Sequence, residues 1–364
     1  MRLDLHSDVV RLTAALVDIE SVSGNEKPIV DVIEEALRGV SHLSVERDGD
    51  TLVARTELGR AERVILAGHS DTVPLNDNFP SRTEGDRMYG CGTSDMKSGL
   101  AVMLHLAATV PEPLRDVTYV VYECEEVEAE RNGLRRLADS RPDLLEADFA
   151  VLLESSLGEI EGGCQGTMRV EVRAAGERAH TARAWMGVNA IHGAGAILDI
   201  LRAYEPPQPV VDGLRFHEGL NAVFIRGGVA GNVVPDECVV TINHRYAPDK
   251  TPEQAEAYLR DLFSGFELTV TDSAPGARPG LTAPVAAEFA RAITGTEPAE
   301  GIAAGTVRPK LGWTDVARFA ALGMPAVNCG PGDPALAHTK GEYVEIPRIR
   351  ACADRMRAWL TGRV

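Results

Sequence analysis

The side chains best suited to chemistry in this sequence are imidazoles and carboxylates: His69, Asp71, Asp95, the pair Glu125-Glu126, Glu154 and His338. They offer nitrogen and oxygen donors without thiolate, a set that suits zinc, cobalt or manganese, with zinc the usual choice. One aspartate can bridge two ions with its two oxygens and hold them about 3.5–4 Å apart, a pairing that activates a water and polarises the carbonyl under attack. Asp71 follows His69 closely enough to accept the second imidazole N–H and fix the ring. Glu125 stands beside Glu126 but should point elsewhere, which frees it as general base toward water and then as acid toward a leaving amine. Each feature alone has an ordinary explanation. An H-x-D pair is usually a surface turn, and the run Glu123, Glu125, Glu126, Glu128 and Glu130 could be solubilising charge. His6, His42, His105, His192 and His217 have no comparable context.

The elements that must position these residues give them weight together. Val64–Gly68, Val117–Tyr122, Phe149–Leu153 and Ala326–Asn328 are short apolar runs of the kind that form buried parallel strands. His69, Glu125-Glu126 and Glu154 come just past the ends of the first three, and the loop after the last leads to His338. Open α/β sheets bind ligands outside the carboxyl ends of their strands. Asp95 sits in the loop that opens a long helix over Met96–Val110, with Ser94 as its expected cap. Helices are expected over residues 8–20 and 27–38, where apolar residues recur at helical spacing.

From about Thr167 the pattern changes. Thr167–Ala174 alternates with period two. A helix over Asn189–Ala203, strands at Ala222–Arg226 and Val239–Arg245, a helix at Pro252–Phe263 and a strand at Glu267–Asp272 follow. That order is β-α-β-β-α-β, a split βαβ unit able to stand as a small α+β, ferredoxin-like domain. After Gly280 the α/β pattern returns, with helices near Pro284–Ile293, Thr314–Leu322 and Arg348–Leu360. The expected organisation is an α/β catalytic domain with a mixed sheet, residues 1–166 and 281–364, interrupted by the smaller domain at 167–280.

Bulk properties narrow the function. The chain has 364 residues, 44% of them hydrophobic, which favours more than one core. Its formal charge of −17 repels phosphate backbones, so no nucleic-acid partner is expected. Charges at Arg2, Asp4, Asp8, Arg11 and Asp18 argue against a signal peptide or membrane span, and the expected location is the cytoplasm. The six cysteines form no CxxC pair and are expected as buried free thiols.

The motifs carry a family resemblance. Gly68-His-Ser-Asp-Thr-Val-Pro74, Tyr89-Gly-Cys-Gly-Thr-Ser-Asp-Met-Lys-Ser-Gly99, Glu125-Glu126, Glu154 and Ala337-His-Thr-Lys-Gly-Glu342 resemble, in order and spacing, the metal motifs of the di-zinc peptidase and deacylase family. That family includes aminoacylases, acetylornithine deacetylase, carboxypeptidases and succinyl-diaminopimelate desuccinylases. The resemblance implies a di-zinc exopeptidase-like fold with two Zn2+ per subunit, for which Co2+ may substitute. It implies one ion on His69, Asp95 and Glu154, the other on Asp95, Glu126 and His338, with Glu125 as acid/base and Asp71 orienting His69. Gly176–His180 through Gly187–His192 is similar to the family's lid motif, which implies a homodimer formed through the inserted domain and His180 reaching the partner's site to stabilise an oxyanion. Gly231-Asn232 and Asn243-His-Arg245 resemble substrate-binding segments, implying contacts from Asn232 and a carboxylate grip by Arg245.

Gly90-Cys-Gly92, Gly163–Thr167, Arg178–Arg183, Gly312–Phe319 and Gly330–Asp333 most resemble the actinobacterial succinyl-diaminopimelate desuccinylases. This implies a small N-acyl amino acid as substrate, and Trp313 and Thr314 as further contacts. A succinyl carboxylate needs a cation, with Arg178, Arg183, Arg245, Arg308 and Lys310 as candidates. The chain departs from the pattern at Cys91, where many members have Arg, and at Ser155-Ser156, where Pro-Thr or Pro-Ser is usual. Another N-acyl-amino-acid deacylase or a dipeptidase shares the same metal chemistry, and a non-catalytic binding relative is the reading outside enzymes.

Overall fold

The computed structural model describes residues 3–295 and 307–363. Residues 296–306, part of the segment expected to complete the catalytic domain, lie outside the described residues. The chain forms two compact units: Met1–Gly163 with Pro279–Arg308 and Asp315–Val364, and Cys164–Arg278 with Pro309–Thr314.

The first unit begins with helices α1 (Val9–Val17) and α2 (Lys27–Arg38) and strands β1 (Ser44–Asp48), β2 (Thr51–Arg55) and β3 (Arg63–His69). Short strands β4 (Arg82–Glu84) and β5 (Arg87–Tyr89) precede helix α3 (Ser98–Thr109). Then come β6 (Asp116–Tyr122), α4 (Gly133–Ser140), β7 (Phe149–Ser155) and β8 (Ile160–Gly162). After the second unit's main segment, α7 (Pro284–Thr294), β17 (Val307–Pro309), α8 (Val316–Ala321), β18 (Ala326–Gly330), β19 (Tyr343–Glu345) and α9 (Ile346–Thr361) follow.

Eight of these strands form one sheet in the order β1-β2-β6-β3-β7-β18-β8-β17. Its centre is parallel, with β3 between β6 and β7 and β18 beside β7. The flanks are antiparallel, β2 on β6 and β8 on β18, so the sheet is mixed as expected. Every residue of β6 and β7 is buried, which accounts for their largely apolar character. Helix α3 packs against β3, β6 and β7, with α1 and α9 beside it. The fit leaves no room at its first turn, because a Cβ on Gly99 would stand 2.0 Å from the Leu153 carbonyl oxygen. The crossovers bring the C-terminal ends of β6, β3, β7 and β18 to one edge of the sheet.

The second unit contains β9 (Gly166–Ala175), β10 (Ala179–His180), α5 (Ala190–Ala203), β11 (Val210–Val211), β12 (Leu214–Arg215), β13 (Gly219–Gly227), β14 (Val233–Val234), β15 (Glu237–Tyr246), α6 (Pro252–Leu262) and β16 (Glu267–Ala274). Its sheet is antiparallel in the order β13-β15-β9-β16, the split βαβ arrangement read from the sequence. Alternation along β9 turns Met168, Val170, Val172 and Ala174 into a core shared with Ala194 and Ile197 of α5 and Ala255 and Leu259 of α6. Asn189 caps α5 and Thr251 forms a capping box with Gln254 on α6. No described helix is long and apolar enough to cross a membrane.

Three expectations are corrected. The helix expected over Met96–Val110 starts at Ser98, and Ser94 does not cap it. Asp95 and Met96 have non-helical backbone angles, and the Ser94 hydroxyl donates to the Tyr343 carbonyl and accepts from the Asp333 N–H. His69 is the last residue of β3, where the parallel ladder with β6 reaches it, and Glu154 lies within β7, rather than past these strands. The helix expected over Thr314–Leu322 is limited to Val316–Ala321.

Candidate metal centre

The seven chemistry-bearing residues of the first unit converge at that sheet edge. His69 ends β3, Glu125 and Glu126 follow β6, Glu154 lies near the end of β7, and the loop after β18 carries His338. Asp95 comes from the non-helical segment before α3. Its carboxylate occupies the middle. Oδ1 lies 3.3 Å from His69 Nε2, and Oδ2 lies 3.5 Å from His338 Nε2. Glu154 Oε1 is 3.7 Å from the same His69 nitrogen, and Glu126 Oε1 is 2.9 Å from the same His338 nitrogen. Donor atoms of His69, Asp95 and Glu126 all lie within 4.8 Å of one another.

Asp71 organises this group from below. Its Oδ1 accepts the Glu125 N–H at 3.0 Å, and its Oδ2 accepts the Glu126 N–H at 3.1 Å and the Ser23 hydroxyl at 2.7 Å. The same Oδ1 is 3.4 Å from His69 Nδ1, which also lies 3.1 Å from the Asp71 carbonyl oxygen. Nδ1 is therefore the protonated side of the neutral ring, and Nε2 faces Asp95 and Glu154 as a donor atom. The backbone of His69 is held close to Met96, whose Sδ accepts its N–H at 3.4 Å. A Cβ at Gly68 would stand 2.6 Å from Met96 Cε, so the absence of a side chain there admits the methionine.

The electrostatics follow from burial and from the crowding of carboxylates. Burial opposes a charged His69, but hydrogen bonds to Asp71 and Asp95 and the charges of Asp71 and Glu154 outweigh it and raise its pKa well above the ordinary value. Hydrogen bonds to Asp95 and Glu126 lift His338 to about 10 against the effect of burial. Burial pushes the Asp95 carboxyl up, but His338 and His69 prevail and hold it far below the usual carboxylate range. Asp71 is likewise held down against burial by His69, Ser23 and the Glu125 N–H. Glu125 moves the other way: burial raises it well above its ordinary value, and the charges of Glu154, Asp315 and Glu126 add to that against the pull of His69. The imidazoles here face a concentration of negative charge that bound cations would neutralise. The donor set is carboxylate and imidazole, and one carboxylate directs an oxygen to each imidazole, so the residues fit a pair of metal ions sharing Asp95.

Two residues in this group had no assigned role in the sequence. Ser23 lies in a stretch that reads only as a helix breaker, and nothing local links it to Asp71. Glu342 was visible as the end of the His338 motif, yet its partners are distant: Gly92 N–H at 3.1 Å, Ser94 N–H at 2.7 Å and Asp95 N–H at 3.1 Å. Burial raises the Glu342 carboxyl to about 7 against those three bonds. Cys91 is buried with its Sγ 3.7 Å from the Val73 carbonyl oxygen, and burial raises its thiol pKa. All six cysteines are buried.

The remaining candidates belong to the second unit. His180 is exposed, and its Nδ1 accepts the Ala182 N–H at 3.0 Å. The proton of the neutral ring is then on Nε2, which leaves that atom as an outward donor. Strands β10 and β14 pair His180 with Val233, and the Asn232 carbonyl accepts the Thr181 N–H at 3.0 Å, so the His180 and Asn232 segments are adjacent. Arg183 is exposed in the short turn after His180. Arg178 is engaged by Asp236 at 2.7 Å. Arg245, on β15, is partly buried and donates from Nε to Asn243 Oδ1 at 3.2 Å; burial and neighbouring Arg169 lower its pKa. Trp313 donates from Nε1 to the Pro275 carbonyl at 3.1 Å, and Thr314 is buried with its carbonyl 3.7 Å from Cys164 Sγ.

Comparison with known proteins agrees with this geometry. Residues 65–361 match the family described as peptidase family M20/M25/M40. A Mycobacterium tuberculosis protein named DapE is 51% identical over 363 residues, covering 99% of this chain and 100% of that one. The succinyl-diaminopimelate desuccinylase of Corynebacterium glutamicum is 46% identical over 369 residues, covering 99% of this chain and 98% of the other. Among solved structures, a tripeptidase from Staphylococcus aureus superposes with a TM-score of 0.77 at 22% identity, covering 100% of this chain and 99% of that one. The chain thus belongs to peptidase family M20/M25/M40 and is a metal-dependent amide hydrolase.

Proposed function

We propose that this protein removes the succinyl group from N-succinyl-LL-2,6-diaminopimelate, giving succinate and LL-diaminopimelate for lysine and cell-wall precursor synthesis. The observation that carries the catalytic part is Asp95, whose two oxygens address two imidazoles beside a carboxylate, Glu125, that pairs with neither. Full-length similarity to a desuccinylase supports the substrate. The site would hold two Zn2+ or Co2+ ions, one on His69, Asp95 and Glu154 and one on Asp95, Glu126 and His338. When bound, such ions lower the pKa of water and polarise the acyl carbonyl.

The chain's own residues supply the rest. Asp71 fixes the His69 tautomer and, through two N–H bonds, the backbone of Glu125 and Glu126. Glu125 accepts a proton from the attacking water and returns it to the leaving nitrogen, so the water oxygen joins the acyl carbon as the C–N bond breaks. Burial and the neighbouring carboxylates raise its pKa, in the direction that favours holding a proton between the two transfers. His180 offers an Nε2–H to the developing oxyanion, from the partner subunit in our reading. Arg178 and Arg308 are already paired with acidic side chains, which turns attention to Arg183 and Arg245 for the substrate carboxylates. Asn232, Trp313 and Thr314 complete the proposed substrate contacts.

We place the enzyme in the cytoplasm as a homodimer. The dimer reading is supported by β13, an edge strand with Val223, Phe224 and Ile225 all exposed, an arrangement that invites pairing with a second sheet. The deciding experiment is zinc-reconstituted turnover of N-succinyl-LL-diaminopimelate beside N-acetylornithine and a simple dipeptide. Strong preference for the succinyl substrate is expected. Turnover of another amide alone would overturn the substrate while leaving the amide chemistry intact.

A further inference from the structure

Glu342 lies outside the proposed ligand set, yet it is among the most heavily engaged carboxylates of the first unit. It is buried, and its two oxygens accept three backbone N–H groups from the segment that carries Asp95: Oε1 takes Ser94 and Asp95, and Oε2 takes Gly92. Its own carbonyl accepts the Gly90 N–H at 3.1 Å. That segment is not helical at Asp95 and Met96, so its N–H groups have no helix to satisfy them. A buried carboxylate collecting several N–H groups is a strong, directional anchor.

The other end of the anchor is the loop of His338. Glu342 follows His338 closely in the same loop, and its N–H donates to the Thr339 carbonyl at 3.1 Å. His338 is held less firmly than the opposite imidazole: its side chain is 50% exposed, against 1% for His69 and 6% for Glu154. His69 is the last paired residue of central strand β3, and Glu154 lies on the fully buried central strand β7. His338 depends on an irregular loop, where its own φ is 63°.

We propose that Glu342 is a positioning residue that ties the Asp95 segment to the His338 loop, so that the metal position shared by Asp95, Glu126 and His338 depends on it far more than the position on His69, Asp95 and Glu154. This rests on the two-ion reading given above. It is an asymmetric claim: general loosening of the fold weakens both positions, whereas loss of this tie weakens one.

The test is a Co2+ titration of the metal-free full-length protein, read by calorimetry and by the visible absorption of bound cobalt. His69→Ala and His338→Ala mark which ion is which. Glu342→Gln keeps the shape but turns an amide N–H2 toward backbone donors. It should weaken the ion marked by His338→Ala by about 10–100-fold, the usual cost of removing an outer partner, and leave the other within about threefold. If Glu342→Gln does not fold, Glu342→Asp makes the same comparison: it keeps the charge but is too short to reach all three N–H groups, and the same one-sided loss is expected. Equal weakening of both ions, or affinities within about twofold of the unaltered protein for both, overturns the role of Glu342 while the histidine variants still uphold the ion pair. Histidine variants that bind Co2+ like the unaltered protein overturn the ion pair itself, and the Glu342 inference with it.

Discussion

At the residue scale, the division of labour between neighbouring carboxylates is set by direction more than by type. Glu125 and Glu126 are adjacent, and both backbones donate to Asp71, yet Glu126 forms an ion pair with His338 while Glu125 forms none with an imidazole among the described residues. Glu125→Gln preserves volume and removes only the capacity to carry a proton. We expect it to bind two metal ions as the unaltered protein does and to lose about 10²–10⁴-fold in kcat, the range general acid–base catalysis supplies. Metal content and single-turnover rates measured on one preparation check this. Near-normal turnover would remove Glu125 from the mechanism.

Elements impose tighter limits than the residues they carry. Helix α3 approaches β7 so closely that Gly99 has the Leu153 carbonyl where a Cβ would be. Gly99→Ala must push the helix off the strand, and should cost about 1–3 kcal/mol of unfolding free energy by overpacking, seen as a lower urea midpoint at unchanged slope. In the second unit, β15 places His244 in the core against Tyr246 and Tyr258, with ring centroids 5.5 and 5.8 Å away. Neither ring nitrogen has a hydrogen-bond partner among the described residues. Burial, with the Lys250 charge adding, lowers its pKa from 6.5 to about 4. The unfolded chain therefore binds this proton more tightly than the folded one. Stability should fall as pH drops from about 6.5 toward 4 and level off below, by up to about 3 kcal/mol. His244→Phe should flatten that part of the profile relative to the unaltered protein. Equal losses in both proteins between pH 7.5 and 4.5 would show that the ring does not stay neutral.

At the scale of the whole molecule, exposed apolar surface bears on assembly. Exposed Trp185, Met186 and Val188 lie in the segment after His180, and Val223, Phe224 and Ile225 lie on the β13 edge. Burying such surface would stabilise a dimer, and a charge on the edge should oppose it. Phe224→Lys is expected to sediment as a monomer while keeping both unit folds, and to lose most activity if His180 acts across the interface. Mixing His180→Ala with Glu125→Gln subunits should then restore part of the activity once subunits exchange. A monomeric, fully active Phe224→Lys protein would place the whole site in one chain.

Taken from residue to molecule, the sequence alone was enough to determine which side chains gather and on what scaffold. Apolar runs with His, Glu-Glu or Glu just past them mark strand ends, and strand ends of a parallel sheet share one edge, so His69, Glu125, Glu126 and Glu154 had to meet. Period-two and helical spacing likewise carried the β-α-β-β-α-β order of the second unit, because such patterns are local. The tertiary structure alone decided what depends on distant chain. Ser94 has the composition of a helix cap, but Glu342, reaching across from the His338 loop, accepts the Ser94 and Asp95 N–H groups, and Asp95 lies outside the helix. Ser23 finds Asp71, Met96 fills the space Gly68 leaves, and Arg178 is taken by Asp236. Such pairings join groups far apart in the chain, and hydrogen bonds of that kind leave no periodic trace in a sequence.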